Sequence, residues 1–329
     1  VPIPVIVIVG PTAVGKSGFA LSIAEMLDTE IISADSMQIY RGMSIGVAAP
    51  SAHELARVRH HFVGIIEPSE TFSAVDFARN ALAVAHDLNT RGKIPVIVGG
   101  SGLYLRAFVD GLFPGPPADK RVRRRLRDLA AEEGEQYLHD RLQRVDPTSA
   151  TNIHPHDLRR IVRALEIFEL TGKPISELHK MHREAKPDLD VTFMGLERTR
   201  QDLYRRIDAR VEQMFERGLV REVADLLERG YASEIDRIRP LGYPEVKAYL
   251  LGEIDLDRTK YLMQRNSRRY AKRQYTWFKT DPRIRWFLFG ADEEPADYAL
   301  QICRAVAIIR SRAAGASQRA TGYVRQPEA

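Results

Sequence analysis

Apolar positions change texture several times along the chain. From Ile3 to Val9 they run continuously and are largely β-branched, as in a strand buried on both faces. Lys16 to Leu27 switches to helical spacing, and Thr29–Asp35, Phe62–Ile66 and Ile94–Gly100 return to strand character. The run Ser73-Ala74-Val75-Asp76 has the serine-to-acid spacing of a capping box and opens a helix predicted to reach about Asn89, with another starting near Ser101. Strand and helix in alternation predict an α/β fold on a mostly parallel sheet.

The texture breaks at Asp110–Lys120, "DGLFPGPPADK", where Pro and Gly mark a boundary. Charged helical patterns follow over roughly 119–144, 155–171 and 175–184, with no strand signal among them. Alternation resumes at Asp190–Arg198, a strand expected to rejoin the first sheet. Helices are then predicted near 200–217, 219–229, 243–251 and 256–279, a last strand at Arg283–Phe289 and a last helix at Glu294–Arg312. The predicted organisation is a core in two parts, 1–114 and 189–312, interrupted by an all-helical insertion at 115–188. A polar, aperiodic tail at 313–329 is expected to be disordered. In the helix at 256–279, the seven-residue recurrence of Met263, Tyr270 and Trp277 predicts its core stripe.

A chain of 329 residues with 44% hydrophobic content can bury a substantial core. It has no apolar run near the roughly 18 residues that span a bilayer, and its opening lacks a basic leader, so no membrane partner and a cytoplasmic location are expected. The lone Cys303 excludes an internal disulfide and a Cys-based zinc site; it is expected to pack in the C-terminal helix. His60 with His61, and His179 with His182, lack the accompanying ligands of a metal site and are read as structural. Net charge is only +5, but it is unevenly spread. Lys120–Arg127 and Arg265–Lys279 are densely basic, and the second contains no acid, which points to nucleic acid.

The first strand runs into Gly10-Pro11-Thr12-Ala13-Val14-Gly15-Lys16-Ser17, a G-x-x-x-x-G-K-[ST] loop followed by a helix. Backbone amides in such a loop surround phosphate oxygens, Lys16 adds charge, and the Ser17 hydroxyl is suited to Mg²⁺. The signal is strong for a polyphosphate and silent on whether it is ATP. A P-loop NTPase also needs an acid at the end of a neighbouring strand, yet Ile94–Gly100 ends in glycines. The nearest strand-terminal acid is Asp35, which could hold magnesium through water, cap the next turn, or act as a general base. Gly99, Gly100 and Gly102 would permit close approach by a ligand, with the Ser101 hydroxyl beside it.

Seven segments in order, "GPTAVGKS", "ISADSMQIYRGM", "VGGSGLY", "RRIVRALEIFELTGKPIS", "LYRRIDARVEQM", "RPLGYPEV" and "YAKRQYTWF", resemble the tRNA dimethylallyltransferases over about Val5–Phe289. The resemblance implies a kinase-like P-loop NTPase-type sheet flanked by helices, repurposed so that the loop holds dimethylallyl diphosphate. The prenyl group then passes to the exocyclic amine of the adenosine 3′ of the anticodon, in tRNAs that read codons beginning with U. It further implies Asp35 as the base, with Lys16, Arg210, Thr12 and the loop on the diphosphate together with Mg²⁺. Arg206, one turn before Arg210, joins them or is a solvated face. The resemblance also assigns tRNA contact to Asp35, Ser36, Met37, Gln38, Ser101 and Arg123, to Arg159, Arg160 and Arg163, to Gly242 and Tyr243, and to Arg268, Lys272, Arg273 and Gln274. The partner is the anticodon stem-loop, and the chain is expected to be a monomer.

The family commonly reads Gly-Thr-Ala-Lys-Pro where this chain has Gly46-Val47-Ala48-Ala49-Pro50, losing a hydroxyl and a lysine, which bears on substrate affinity. Two rivals stay open at this level. One is a transferase acting on free adenine nucleotides, which would not need the basic helices; the other is an ATP-dependent small-molecule kinase or P-loop binding module.

Overall fold

In the computed structural model, which describes residues 1–113, 115–182, 186–305 and 323–324, the chain falls into two compact units. The first comprises Val1–Leu105 with the chain from Asp188 onward, and the second Arg106–Pro187.

The first unit opens with β1 (Ile3–Val9), α1 (Lys16–Met26), β2 (Ile31–Ser33), α2 (Ala52–Arg57), β3 (His60–His61), α3 (Ala74–Thr90), β4 (Val96–Val98) and α4 (Gly102–Asp110), the last running into the second unit. Its capping box at Ser73 and Asp76 forms as the spacing requires. The second unit holds α5 (Lys120–Glu133), α6 (Glu135–Val145), α7 (Pro147–Asn152), α8 (Leu158–Thr171) and α9 (Ile175–His182), around buried Leu126, Leu138, Leu142, Ile161 and Leu165. The first unit resumes with β5 (Leu189–Arg198), α10 (Arg200–Glu216), α11 (Leu219–Glu228), α12 (Ala232–Ile238), α13 (Tyr243–Leu250), α14 (Leu256–Phe278), β6 (Arg285–Phe289) and the two-residue β7 (Tyr323–Val324).

All pairings in the sheet are parallel, in the order β3-β2-β4-β1-β5-β6-β7. The apolar β1 lies inside it, paired with β4 on one side and along its whole length with β5 on the other, so the strand after the helical segment does rejoin the sheet. Helices flank the sheet, and Phe19, Ile23, Met194, Leu196 and Phe289 build part of the core there.

Several expectations need correction. The third strand is His60–His61, just upstream of Phe62–Ile66, because Phe62 takes φ 65° and turns the chain; only Ile66 bridges, to Tyr40. The helix expected over 119–144 is two helices, divided at Gly134, whose φ of 92° ends one axis and starts the next. Helices α2, α7 and α12 escaped the periodicity because six or seven residues are too few to show it. The stripe of α14 is also different: Thr259, Met263, Ser267, Ala271, Gln274 and Phe278 are buried, while Trp277 is 44% exposed. The last helix begins at 299, after a 3-10 turn at Pro295–Tyr298, and is described to 305. Its remainder, and the tail apart from β7, lie outside the described residues; Tyr323–Val324 pair with β6.

Candidate active site

Three loops leave the carboxyl ends of the adjacent strands β2, β4 and β1, the place where open parallel sheets bind ligands. They are the Asp35 turn, the Gly99–Ser101 turn and the phosphate loop. In the last, Gly15 at φ 107° lets the chain curl into α1. Lys16 folds back over the loop and donates to the Pro11 carbonyl at 2.7 Å. Burial, with the Arg210 charge adding, pulls its pKa down to about 7, against the opposing pull of Asp35. Ser17 is exposed on the first turn of α1.

Asp35 is pushed above the ordinary carboxylate range by burial, with the Met37 N–H, donated at 2.9 Å, and the Lys16 charge restraining the shift. Arg210 reaches from α10 to within 3.5 Å of Thr12 Oγ1. Burial, then the neighbouring Arg206 and Arg217, lowers its pKa. Arg206 donates to the Ala13 carbonyl at 3.2 Å and pairs with both oxygens of Glu294 at 2.7 and 3.1 Å. Lys16 and Arg210, both partly buried and both drawn below their ordinary pKa, thus face one carboxylate, and an anion bound there would favour their charged forms.

Beside this charged end lies a cavity of about 260 Å³. Thr12, Asp35 and Arg210 line its polar end; Ile207, Val211, Met214, Leu241 and Met263 make an apolar wall; Arg239, Tyr270 and Arg273 complete the lining with Ser36, Met37 and Ser267. The remaining wall is Gly46, Val47 and Ala48, so Val47, where the family pattern has a hydroxyl, faces the cavity, while Ala49, in place of the lysine, is outside the lining. That wall is held from behind. Glu222 of α11 accepts the backbone N–H groups of Ser44, Ile45 and Gly46, the Ser44 hydroxyl and the Tyr243 hydroxyl, at 2.6 to 3.1 Å. Gln38 donates to the Val47 and Ala48 carbonyls and accepts from Ser33 Oγ.

Thr12, Asp35, Ser36, Met37, Arg210 and Arg273 therefore share one cavity, with Lys16 beside it. Several other expected contacts have their polar groups committed within the protein. Tyr243 is fully buried on Glu222, and Gly242 caps α13. Gln274 is buried too; it accepts the Thr12 N–H at 2.8 Å and donates to the Gly100 carbonyl at 3.0 Å, tying α14 to the phosphate loop. Ser101 Oγ accepts the Ser36 N–H and donates to Ser36 Oγ. Arg268 pairs with Asp208 at 3.5 Å and lies over Tyr204, whereas Lys272 is exposed. The glycines expected to admit a ligand instead admit protein. A Cβ on Gly99 would meet the Ala34 carbonyl at 2.1 Å, one on Gly100 the Gln274 amide at 2.0 Å, and one on Gly102 the Trp277 indole at 2.1 Å.

Within the second unit, Arg123 and Arg163 both grip the buried Glu166, at 2.9 and 3.0 Å for Arg123 and 2.7 Å for Arg163. Arg159 and Arg160 are exposed. His61 binds Glu30 and His60 the Val58 carbonyl, so both are engaged in the fold; the side chain of His182 lies outside the description.

Sequence reasoning missed Glu222, for which only the tertiary fold carries a signal; Arg239 and Tyr270 fall within segments that carry the resemblance, but neither was singled out as lining a cavity. It also missed Arg198. This buried guanidinium donates to the Val14 carbonyl at 3.1 Å, to Asp202 at 3.0 Å, and to the Gly290 and Glu293 carbonyls, so it fixes the outer side of the loop. The Arg198–Asp202 spacing of four residues was its one legible trace.

The family model described as IPP transferase matches residues 38–281. The chain is 48% identical over 287 residues to a tRNA dimethylallyltransferase of Geobacter sulfurreducens, covering 87% of this chain and 92% of the relative. It is 46% identical over 288 residues to one of Carboxydothermus hydrogenoformans, covering 87% and 92%. Among solved structures it resembles the tRNA isopentenylpyrophosphate transferase of Bacillus halodurans (TM-score 0.68, 37% identity, 95% of this chain and 100% of that one). It also resembles a eukaryotic dimethylallyltransferase acting on tRNA (TM-score 0.75, 28% identity, 96% and 81%).

Proposed function

The chain belongs to the IPP transferase family, a transferase that prenylates tRNA, and from that premise we propose how its residues carry the reaction out. The donor is dimethylallyl diphosphate, and the acceptor is the exocyclic amine of the adenosine 3′-adjacent to the anticodon, in tRNAs reading U-starting codons. The observation that carries this reading is the two-ended cavity, with cations and a carboxylate at one end and an apolar wall at the other. A diphosphate suits the first end and a branched five-carbon chain the second.

An adenine amine is a weak nucleophile, because its lone pair is shared with the ring. Asp35, buried and therefore a stronger base than a free aspartate, takes the proton as the nitrogen bonds to the terminal carbon of the allyl chain. The carbon–oxygen bond breaks in the same event, and diphosphate leaves with the bonding pair. Lys16, the loop amides and Arg210, buried beside Thr12, oppose the charge where it grows. Water-exposed cations would do so far less well. The adenosine must leave its stack to reach the cavity, which costs a few kcal/mol; Ser36, Met37, Tyr270 and Arg273 are the lining groups available to receive it.

Magnesium takes oxygen ligands and commonly needs one or two protein groups beside phosphate oxygens. The exposed Ser17 hydroxyl at the head of α1 fits that role, and the ion when bound would neutralise part of the leaving diphosphate's charge. No described helix is long and apolar enough to cross a membrane, and a cytoplasmic location and a monomeric state belong to the same reading.

The test compares acceptors and donors directly. Transfer from dimethylallyl diphosphate to an anticodon stem-loop, with none to AMP and no competition by ATP, is expected. Transfer to AMP in preference to RNA would make this a free-nucleotide transferase, and ATP binding as tightly as the prenyl donor would make it a kinase.

A further inference from the structure

Trp277 recurs at core spacing on α14, yet 44% of it is exposed, while the only other tryptophan, Trp286, is 7% exposed. It is nonetheless held in place. Its indole edge lies against Gly102, so closely that a Cβ there would sit 2.1 Å from Nε1 and 2.3 Å from Cδ1. A glycine at that position is what lets the ring lie on the turn after β4.

The surroundings make an exposed ring at this point more than a packing accident. Arg269, Arg273 and Trp277 recur every four residues and so share one exposed ridge of α14. Arg269, Lys272 and Arg273 are exposed, and among the described residues none of them is paired with a carboxylate. Arg273 and Tyr270 line the cavity, and Trp277 stands four residues beyond Arg273, about 6 Å along the axis. On its other side, Gly102 is followed back through Ser101 to Ser36, whose N–H bonds Ser101 Oγ at 2.9 Å next to Asp35. The ring therefore lies one turn of α14 beyond the cavity lining, at about the reach of a neighbouring nucleotide.

We propose that the open face of Trp277 is a stacking platform for a nucleobase of the tRNA adjacent to the reacting adenosine, with Arg269, Lys272 and Arg273 on the flanking phosphates. This rests on the tRNA reading above and adds a contact to it. An unstacked base offers a π-face to any aromatic ring, so the platform is tolerant of sequence. It compensates part of the cost of pulling the adenosine out of its stack.

The experiment titrates an anticodon stem-loop RNA into the full chain while following indole emission, then repeats it with Trp277→Phe and Trp277→Ala. Saturating RNA is expected to quench wild-type emission, because the exposed indole stacks and Trp286 is shielded; Trp277→Phe loses the quenching but binds within a few-fold of wild type. Trp277→Ala weakens RNA binding about 5- to 150-fold, with the KM for dimethylallyl diphosphate unchanged. Its plot of log affinity against log salt runs parallel to wild type, since no phosphate contact is removed. Unquenched wild-type emission at saturation, or wild-type RNA affinity in Trp277→Ala, overturns the platform. If Trp277→Ala does not fold, the wild-type and Trp277→Phe titrations decide. Prenyl transfer to the stem-loop with wild-type affinity in Trp277→Ala removes the platform alone; quenching by RNA without prenyl transfer removes the reading beneath it alone.

Discussion

In the proposed mechanism Asp35 and Lys16 act on the two ends of the reaction, and each makes a separate prediction. Asp35→Ala should slow the transfer step about 10²- to 10⁴-fold, the usual effect of losing a positioned base, with RNA binding largely kept; a single-turnover rate near wild type would reduce Asp35 to a structural role. Lys16 makes a prediction about protons. Its pKa falls from the ordinary 10.5 to about 7 on folding, chiefly through burial. A cation so depressed destabilises the fold when charged: the penalty is absent above 10.5 and fully present below about 7. Stability of the ligand-free protein should therefore rise with pH between about 7 and 10.5, and this rise should flatten in Lys16→Met. Donor diphosphate restores the charge, so binding at pH 8 should take up about one proton. Calorimetry in buffers of differing ionisation enthalpy measures that uptake, which Lys16→Met should abolish.

At the scale of elements, the catalytic wall is only as firm as what braces it. Glu222 gathers five donors on one carboxylate and has no cation on it among the described residues. Glu222→Ala should cost about 1–3 kcal/mol of stability, as five donors, three of them partly buried, lose a charged acceptor, and should raise the KM for donor through the slackened Gly46–Ala48 wall; urea unfolding and steady-state kinetics read the two effects. Nothing in the residues near Glu222 announces this role. The phosphate loop is legible because its chemistry lies within eight consecutive residues; Asp35 shows only as a strand-terminal acid, and the roles of Asp35, Arg206 and Arg210 come from the family resemblance. The braces join positions far apart in the chain, such as Gln274 with Thr12, and periodicity carries no trace of them. The α14 stripe was misread for a related reason. Beside Met263, Ala271 and Phe278, its buried face includes Thr259, Ser267 and Gln274, polar residues that a hydrophobic pattern does not count. The aromatic that the pattern did count, Trp277, faces outward.

Over the whole molecule, a modest net charge of +5 conceals basic surfaces on both compact units, with Lys120, Arg121 and Arg124 on α5 and Arg269, Lys272 and Arg273 on α14. If both meet RNA phosphates, neutralising one contacting residue in either set should lower the salt slope of tRNA binding by about one; a slope unchanged across the whole α14 set would remove that helix from the interface. Glu166, which binds Arg123 and Arg163, makes a different demand on the second unit. Removing it leaves two partly buried arginines without their carboxylate, so Glu166→Ala should lower thermal stability more than any substitution of the exposed Arg159 or Arg160. The measurement that bears most directly on the account is mass spectrometry of tRNA nucleosides after incubation of unmodified tRNA with the protein, dimethylallyl diphosphate and Mg²⁺. One adenosine, 3′-adjacent to the anticodon, is expected to be heavier by a single isopentenyl unit, with no such product from Asp35→Ala on the same timescale. Unaltered tRNA nucleosides alongside turnover of ATP, or prenylation of free AMP alone, would contradict that expectation.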